Sequence, residues 1–244
     1  MGCDWFDPDW PAPASVRALV TTRNGGVSAG PYASLNLGLH VGDAPAAVAR
    51  NRALLRDRLP AEPLWLDQVH GTAVGDAGRD TSPVRADASV ATRAGAVCIV
   101  MTADCLPVLF CNEQGTVVAA AHAGWRGLAA GVLDAALARM GEPPGCVLAW
   151  LGPAIGPRAF EVGDEVRHQF VDADALAAGA FRPTGVAGKW TADLFMLARL
   201  RLRRLGVERV YGGDVCTYFS PERFFSYRRD GITGRFASAV WLSV

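Results

Sequence analysis

Short apolar runs, separated by turns rich in glycine, proline and serine, recur along the whole chain. Runs of this length with many small and β-branched residues predict buried β-strands. Apolar residues at helical spacing predict helices between them, at residues 46–59, 127–140, 164–170 and 192–205. The predicted strands are residues 16–22, 98–101, 116–121, 146–151, 207–211 and 236–242.

Polar residues mark the starts of two of these helices. Asp43 is predicted to cap the helix at 46–59, which ends at Pro60. Thr191 is predicted to cap the helix at 192–205 in the same way. A side-chain oxygen at this position accepts a hydrogen bond from one of the free N–H groups of the first helical turn.

Two of the predicted strands are followed by residues that are able to bind a metal. The strand at 98–101 leads through a turn to Asp104 and Cys105, and the strand at 116–121 stops at His122. Consecutive strands usually lie side by side, so we expect Cys105 and His122 to converge at one sheet edge. Asp104 is predicted to orient a ligand or to act as an acid/base group, and capping of the turn is the alternative.

A further histidine, His70, follows the strand-like run at 64–66 together with Gln68. With Cys105 and His122 it forms a His2Cys set. Three protein ligands with a fourth position open to water are typical of catalytic zinc sites. The spacing matches no short metal-binding motif, so structural histidines and a core cysteine remain the alternative interpretation.

Two long loops and one helix start offer residues for a substrate. The glycine-rich loop at 21–38 is longer than most connections, and it fits a functional loop and a plain connection with glycine-dictated turns equally well. The helix start after His122 favours anions. The aromatic, arginine-containing loop at 212–235 suits a planar ring and a phosphate, or else closes one end of the core. The candidate substrate-binding residues are Arg23, Asn36, Gln68, Arg126 and Arg228.

Composition and charge exclude several classes of function. Lysine plus arginine equals aspartate plus glutamate, at 24 each, so no overall positive field favours nucleic acid or a membrane surface as partner. No segment has about 18 consecutive apolar residues and the start has no basic region before an apolar run, so we expect a cytoplasmic protein. Neither a Walker loop nor a GxGxxG motif follows any predicted strand. The six cysteines show no CxxC spacing, which indicates reduced thiols.

Six ordered segments carry a resemblance to a known family. They are TTRNGGVSAGPYASLNLG, DQVHG, TADCLPVLF, AAHAGWRG, GPAIGP and FFSYRRDGITGR. The chain resembles the YfiH family, also called the laccase-domain or peptidoglycan editing factor family, whose members are described as purine nucleoside phosphorylases. The resemblance runs from about residue 17 to residue 242, with no departure at the metal positions. The stretch 172–188 aligns with no family motif.

The resemblance implies an α+β fold in one domain, residues 1–244, with mixed β-sheets and flanking helices layered as in the cytotoxic necrotizing factor catalytic domain. It implies zinc bound by His70, Cys105 and His122. It also implies phosphorolysis of adenosine, inosine, guanosine and methylthioadenosine, with deamination of adenosine. Copper-dependent polyphenol oxidation and removal of wrongly built peptidoglycan precursors are further activities credited to the family.

Physical chemistry helps to choose among these activities. Zinc lowers the pKa of bound water to about 7, which suits deamination. Phosphorolysis needs a bound phosphate, for which Arg126 with Arg23 or Arg228 are the candidates. Four histidines are too few for a multicopper oxidase, although a single copper(II) could occupy the site instead of zinc. The residues also fit a cysteine hydrolase, with Cys105 as nucleophile and His122 as base, or a binding module without catalysis. A monomer and a homodimer both fit the sequence.

Overall fold

The computed structural model describes residues 3–244, and Met1 and Gly2, which the predicted domain includes, lie outside the described residues. The α-helices are α1 (Pro45–Arg56), α2 (Trp125–Ala130), α3 (Val132–Met140), α4 (Asp164–Val171), α5 (Leu194–Arg204) and α6 (Tyr227–Asp230). The strands are β1 (Val16–Val20), β2 (Val74–Asp76), β3 (Ala88–Ala91), β4 (Val97–Thr102), β5 (Leu106–Asn112), β6 (Val118–Ala123), β7 (Val147–Leu151), β8 (Glu161–Gly163), β9 (Phe181–Pro183), β10 (Lys189–Ala192), β11 (Arg209–Gly212) and β12 (Phe236–Leu242).

The strands form three sheets in the described part of the chain. The largest has six strands in the order β11-β7-β5-β6-β3-β2 and is mixed, because its two outer pairs are parallel and its inner pairs antiparallel. A second sheet, β1-β12-β4, is antiparallel throughout. The third, β8-β10-β9, is small and also antiparallel.

Alternate side chains of the central strands face two different hydrophobic cores. In β5, Val108 and Phe110 pack with α3 and α5, whereas Leu109 and Cys111 pack towards the β1-β12-β4 sheet. A third core on the far face of that sheet includes Ile99 and packs against α1. Residues two apart on a strand share one face, so each central strand can pack against a different layer on each side. The layers are, in order, the helices α3 and α5, the six-stranded sheet, the β1-β12-β4 sheet and α1. The predicted layered sandwich of mixed sheets and flanking helices is confirmed.

The two strands that were expected to lie side by side belong to different sheets. The predicted strand at 98–101 lies in β4, which pairs with β12. An unpredicted strand, β5, follows it and pairs antiparallel with β6, so that Pro107 lies opposite His122. The expected convergence of Cys105 and His122 therefore occurs, but the β5–β6 hairpin causes it, since Cys105 directly precedes β5.

The single helix predicted at 127–140 is wrong. The chain forms α2 and α3 instead, with Gly131 between them at a φ of 101°. This left-handed conformation cannot continue a right-handed helix, and glycine adopts it without steric cost. The helix start that was expected to favour anions thus belongs to α2, a helix of 6 residues.

Both predicted helix caps are also wrong. The Asp43 carboxylate accepts hydrogen bonds from Ser28 at 2.6 Å and Asn36 at 2.9 Å, and the residue after it occupies the N-cap position of α1. Thr191 lies in β10, and Asp193 caps α5 by accepting a main-chain N–H at 2.9 Å. Asp43 therefore binds the glycine-rich loop instead of capping α1, and Thr191 belongs to a strand instead of capping α5.

Candidate metal centre

His70, Cys105 and His122 meet at one end of the β5–β6 hairpin. One donor atom from each residue can be chosen so that all three lie within 4.8 Å of one another. The Cys105 Sγ is 3.6 Å from His70 Nε2, and the two histidine rings meet edge to face. His70 reaches the site with a φ of 60°, an uncommon conformation for a non-glycine residue. Backbone conformations of this kind are often retained at functional sites.

The chemistry of the donor set fits a zinc ion. Two imidazoles and one thiolate are ligands that zinc commonly takes, and a three-residue set leaves a position for a substrate or water. The ring of His122 is oriented by a hydrogen bond of 2.8 Å between its Nδ1 and Asp87. In the neutral ring this bond places the proton on Nδ1 and leaves the lone pair of Nε2 for a metal.

Asp87 supports two of the three candidate ligands. Besides His122, its carboxylate accepts main-chain N–H groups of Val69 at 3.1 Å, His70 at 2.9 Å and Gly71 at 2.6 Å. Asp87 is completely buried. Burial would raise its pKa, but the hydrogen bonds from His122 and Gly71 outweigh this and lower the pKa.

Sequence reasoning missed Asp87. The available signal is an aspartate directly before a strand of small and apolar residues, in the stretch ADASVA at 86–91. A buried carboxylate requires hydrogen-bond partners, so its position next to a strand indicates a partner group in the interior. The partners themselves come from residues about 18 and 35 positions away, which no local pattern indicates.

Cys105 and His122 form a coupled pair of titratable groups. Burial would raise the pKa of the Cys105 thiol, but the charge of His122 and hydrogen bonds with both histidines lower it to about 6. Burial would lower the pKa of His122, but the charge of Cys105 and the hydrogen bond to Asp87 raise it to about 9. At neutral pH the metal-free pair therefore carries a thiolate and an imidazolium.

We expect iodoacetamide to alkylate Cys105 in metal-free protein at pH 7, because the lowered pKa makes the thiolate available there. The rate should fall as the pH drops through about 6. The buried Cys98 and Cys111, whose pKa values burial raises to about 12, should not react, and peptide mass mapping distinguishes the three. Added zinc should protect Cys105. A Cys105 that reacts only above about pH 8.5, the ordinary thiol pKa, would contradict the prediction.

Gly124 gives the ligands the space that they occupy. A Cβ at this position would lie 2.7 Å from His70 Cδ2 and 2.9 Å from Cys105 Sγ. We expect Gly124→Ala to displace both ligands and lower zinc affinity by about tenfold or more, the scale of losing a contact that orients a ligand. Competition with a chromogenic chelator measures this. The control is Gly145→Ala, where a Cβ meets nothing within 4 Å, and equal zinc affinities in the two variants would contradict the prediction.

The candidate metal centre opens into a cavity of about 550 Å³. Its lining combines apolar and aromatic side chains with several cationic ones and few acidic ones. This composition suits a partly apolar ligand that also carries negative charge. The lining residues are His40, Gln68, His70, Met101, Thr102, Ala103, Asp104, Cys105, His122, Trp125, Arg126, Ile155, Phe160, Tyr227, Arg228 and Arg235.

Two predicted site residues line this cavity and also hold its walls together. Asp104, with a φ of 86°, accepts hydrogen bonds from Thr217 Oγ1 at 2.6 Å and from the main-chain N–H of Arg228 at 2.7 Å. The Gln68 amide donates to the carbonyl of Met101 at 2.8 Å and accepts its N–H at 2.8 Å. These bonds join Asp104 to the loop at 212–235 and not to its own turn, and both turn capping and a catalytic role stay predictions.

The predicted arginines and Asn36 differ in what they contact. Arg126 and Arg228 line the cavity, whereas Arg23 and Asn36 do not. The Arg23 guanidinium donates to the carbonyls of Ala33 and Pro221, both at 3.0 Å. Asn36 is fully buried and binds main-chain groups and Asp43. Substrate contact by Arg23 or Asn36 therefore stays a prediction that no contact in the cavity supports.

Comparison with known proteins identifies close relatives along nearly the full chain. The chain is 60% identical over 239 residues to the purine nucleoside phosphorylase PA4543 of Pseudomonas aeruginosa, covering 98% of each. It is 57% identical over 238 residues to the purine nucleoside phosphorylase YfiH of Escherichia coli, covering 96% of this chain and 97% of that protein. No helix in the described part of the chain is long and apolar enough to cross a membrane.

Solved structures show the same fold. Neisseria meningitidis protein NMB0706 superimposes with a TM-score of 0.94 at 54% identity, covering 99% of this chain and 100% of that one. A Bacillus licheniformis hypothetical protein YfiH gives a TM-score of 0.85 at 30% identity, covering 93% and 92%. A family model described as multi-copper polyphenol oxidoreductase laccase matches residues 17–243. The chain therefore belongs to the YfiH family, to which this laccase description is attached.

Proposed function

We propose that this protein is a zinc-dependent purine nucleoside phosphorylase that acts on adenosine, inosine, guanosine and methylthioadenosine, and that it also deaminates adenosine. The observation that carries the proposal is a His2Cys set opening into a cavity that has both aromatic and cationic walls. The relatives named purine nucleoside phosphorylase support the same reaction. We also propose a cytoplasmic location, where nucleosides and phosphate are both present.

His70, Cys105 and His122 would hold the zinc ion. Bound zinc supplies Lewis acidity, which polarises a ligand oxygen or nitrogen and lowers the pKa of a bound water. Asp87 keeps the ring of His122 and the loop of His70 in place. Cys105 is already a thiolate at neutral pH, because its pKa is lowered to about 6, and the proton that zinc binding has to release is the one on His122, whose pKa is raised to about 9.

The cavity walls offer two kinds of contact, aromatic surface for the base and a guanidinium group for phosphate. Trp125, Phe160 and Tyr227 offer aromatic surface for a purine ring. Arg126 is exposed and its guanidinium lies 4.4 Å above the Trp125 ring, with no carboxylate partner in the described residues. A guanidinium in this position can bind phosphate beside the nucleoside. Bringing the phosphate close to the glycosidic carbon is the main task in phosphorolysis.

The test is an assay of metal-analysed protein with adenosine, with and without phosphate, that separates adenine, hypoxanthine and inosine. Release of adenine only when phosphate is present, and only when zinc is bound, is the expected result. Inosine formed without phosphate would report deamination. If zinc-loaded protein left every purine nucleoside unchanged, the proposed function would be wrong, and cell-wall precursors or phenols would be the next substrates to test.

A cysteine hydrolase is the second candidate, favoured by the thiolate–imidazolium pair of Cys105 and His122. Chelation separates the two candidates. A zinc enzyme loses activity when its metal is removed, whereas a cysteine hydrolase keeps it and is inactivated by iodoacetamide. Copper(II) is an alternative occupant of the same three ligands. A multicopper oxidase is disfavoured, because residues 3–244 contain one cluster of three such ligands.

A further inference from the structure

Arg235 directly precedes β12 and lines the cavity beside the candidate metal centre. Its Nη1 donates to the carbonyls of Thr233 at 3.2 Å and Gly234 at 2.9 Å. These two bonds leave Nε and Nη2 without a hydrogen-bond partner among residues 3–244. The Nε–Nη2 edge of a guanidinium is a fork that matches two oxygens of one anion.

Arg235 is only partly exposed, and no carboxylate in the described residues forms an ion pair with it. Burial lowers its pKa, while the negative charges of Cys105 and Asp104 raise it. Arg235 lines the same cavity as the three candidate metal ligands. A partly desolvated guanidinium with free donors is favourable only when an anion or ordered water completes its hydrogen bonds.

The two other arginines that line the cavity, Arg126 and Arg228, have either fewer free donors or more solvent exposure than Arg235. Arg228 donates to the carbonyls of Ala159 at 3.4 Å and Glu161 at 3.0 Å. Arg126 is exposed and has only the Trp125 ring beneath it, so binding has to immobilise its side chain. Arg235 combines an oriented guanidinium with a free edge, which reduces the entropy lost when an anion binds.

The glycine-rich loop fixes the position of Arg235. Asn36 Oδ1 accepts the main-chain N–H of Arg235 at 2.9 Å. The main-chain N–H of Leu37 donates to the carbonyl of Arg235 at 3.1 Å. A Cβ on Gly38 would lie 2.9 Å from Arg235 Cγ, so the loop passes directly over the arginine stem. The loop therefore affects the site through Arg235, although Asn36 does not line the cavity.

We propose that Arg235 binds the inorganic phosphate co-substrate through its Nε and Nη2 atoms, with the exposed Arg126 as a second contact. This inference rests on the proposed phosphorylase function. The 5′-phosphate of a nucleotide substrate is the alternative ligand, because it presents the same dianionic phosphate group to Arg235.

The kinetic test compares wild type with Arg235→Gln, Arg235→Lys and the control Arg158→Gln, all zinc-loaded. Arg158 is an exposed arginine that lines a separate cavity. We expect Arg235→Gln to raise the KM for phosphate by about tenfold or more, the range for losing charge-assisted hydrogen bonds. The KM for adenosine should rise much less. The KM of Arg235→Lys for phosphate should lie between those of wild type and Arg235→Gln, because lysine keeps the charge but cannot bind two oxygens of one anion in the same way.

Gly38→Ala is a second variant that keeps the arginine and displaces its stem. It should raise the KM for phosphate in the same direction, and zinc content and thermal unfolding midpoint report whether each variant is folded. A phosphorylase whose KM for phosphate is equal in wild type and Arg235→Gln would overturn the inference while leaving the proposed function intact.

Calorimetric titration distinguishes inorganic phosphate from a nucleotide 5′-phosphate as the ligand of Arg235. It also distinguishes failure of this inference from failure of the proposed function. Inorganic phosphate should bind zinc-loaded wild type, and its affinity should fall about tenfold or more in Arg235→Gln. If Arg235→Gln instead weakened only adenosine 5′-monophosphate, the cation would serve a nucleotide substrate and the inference would be wrong. If wild type bound no phosphate and released no adenine, the proposed function would fail together with it.

Discussion

Cys105→Ala is expected to abolish both metal binding and phosphorolysis. The substitution removes the thiolate, leaving two imidazoles as protein ligands. Zinc affinity should fall by more than the roughly 10–100-fold that follows loss of an outer hydrogen bond to a ligand. Adenine release should fall by more than about 100-fold, the scale of removing one direct contact to the transition state. Metal analysis by plasma mass spectrometry and product chromatography measure the two effects on the same sample.

Cys146→Ala is the matched control for this variant. Cys105 and Cys146 are both partly exposed free thiols, but Cys146 does not line the cavity. The control should therefore keep its zinc and its activity. A Cys105→Ala protein that retained one equivalent of zinc would show that the thiolate is not a ligand. A protein that lost zinc but kept full phosphorolysis would show that the metal is not needed for the reaction.

Removal of Asp87 is expected to weaken both the metal centre and the fold. Asp87→Ala leaves His122 Nδ1 and three main-chain N–H groups without their acceptor in the interior. Breaking one partner of a buried charged network typically costs about 3–5 kcal/mol in the free energy of unfolding. Zinc affinity should fall about 10–100-fold, because the carboxylate orients the ring of His122 and holds the main chain of His70. Urea unfolding of chelated protein measures the first effect separately from the second.

Asp87→Asn and Glu62→Gln complete that experiment. Asparagine keeps the size of the side chain but places an NH2 group where Asp87 accepts N–H groups on both oxygens, so it should be destabilising as well. Glu62 forms an exposed ion pair with Arg56 at 3.9 Å and accepts the Trp65 Nε1–H at 2.7 Å. Glutamine loses the charge but keeps an oxygen that accepts this hydrogen bond, so Glu62→Gln should change the free energy of unfolding by less than about 1 kcal/mol. An Asp87→Ala protein as stable as Glu62→Gln would contradict the prediction.

The sequence predicts the three candidate ligands better than it predicts why they meet. His70, Cys105 and His122 come together, yet Cys105 and His122 do so through β5, which was not predicted. Pro107 weakens the strand signal of this segment, since proline lacks the N–H of a sheet ladder and is tolerated mainly near a strand start. β4 packs against the sheet of β5 instead of joining it. That choice depends on how the two sheets pack in the tertiary fold, and no local sequence pattern encodes it.

The polar network around the ligands is beyond local pattern reading for a different reason. Which arginine is free to bind an anion depends on which carbonyl groups its donors have already reached. The guanidinium groups of Arg23 and Arg228 donate to carbonyls from distant segments, whereas among residues 3–244 that of Arg235 donates only to carbonyls of its own neighbours. Asn36 was predicted from its loop to contact substrate, and instead it binds the main chain of Arg235. These partners are 67 to 199 residues apart in sequence, so only the tertiary fold brings them together.

The hydrogen bonds around Asp87 also bear on how the metal is acquired. His70 and His122 are positioned by a carboxylate that is not itself a candidate ligand, and Gly124 leaves space for His70 and Cys105 by lacking a side chain. The ligand frame is therefore built by the chain and does not have to assemble around the ion. We expect such a site to exchange one divalent cation for another without unfolding, since copper(II) competes strongly with zinc for these donors. The metal found in a purified sample would then record the supply in the growth medium and buffers as much as the preference of the fold.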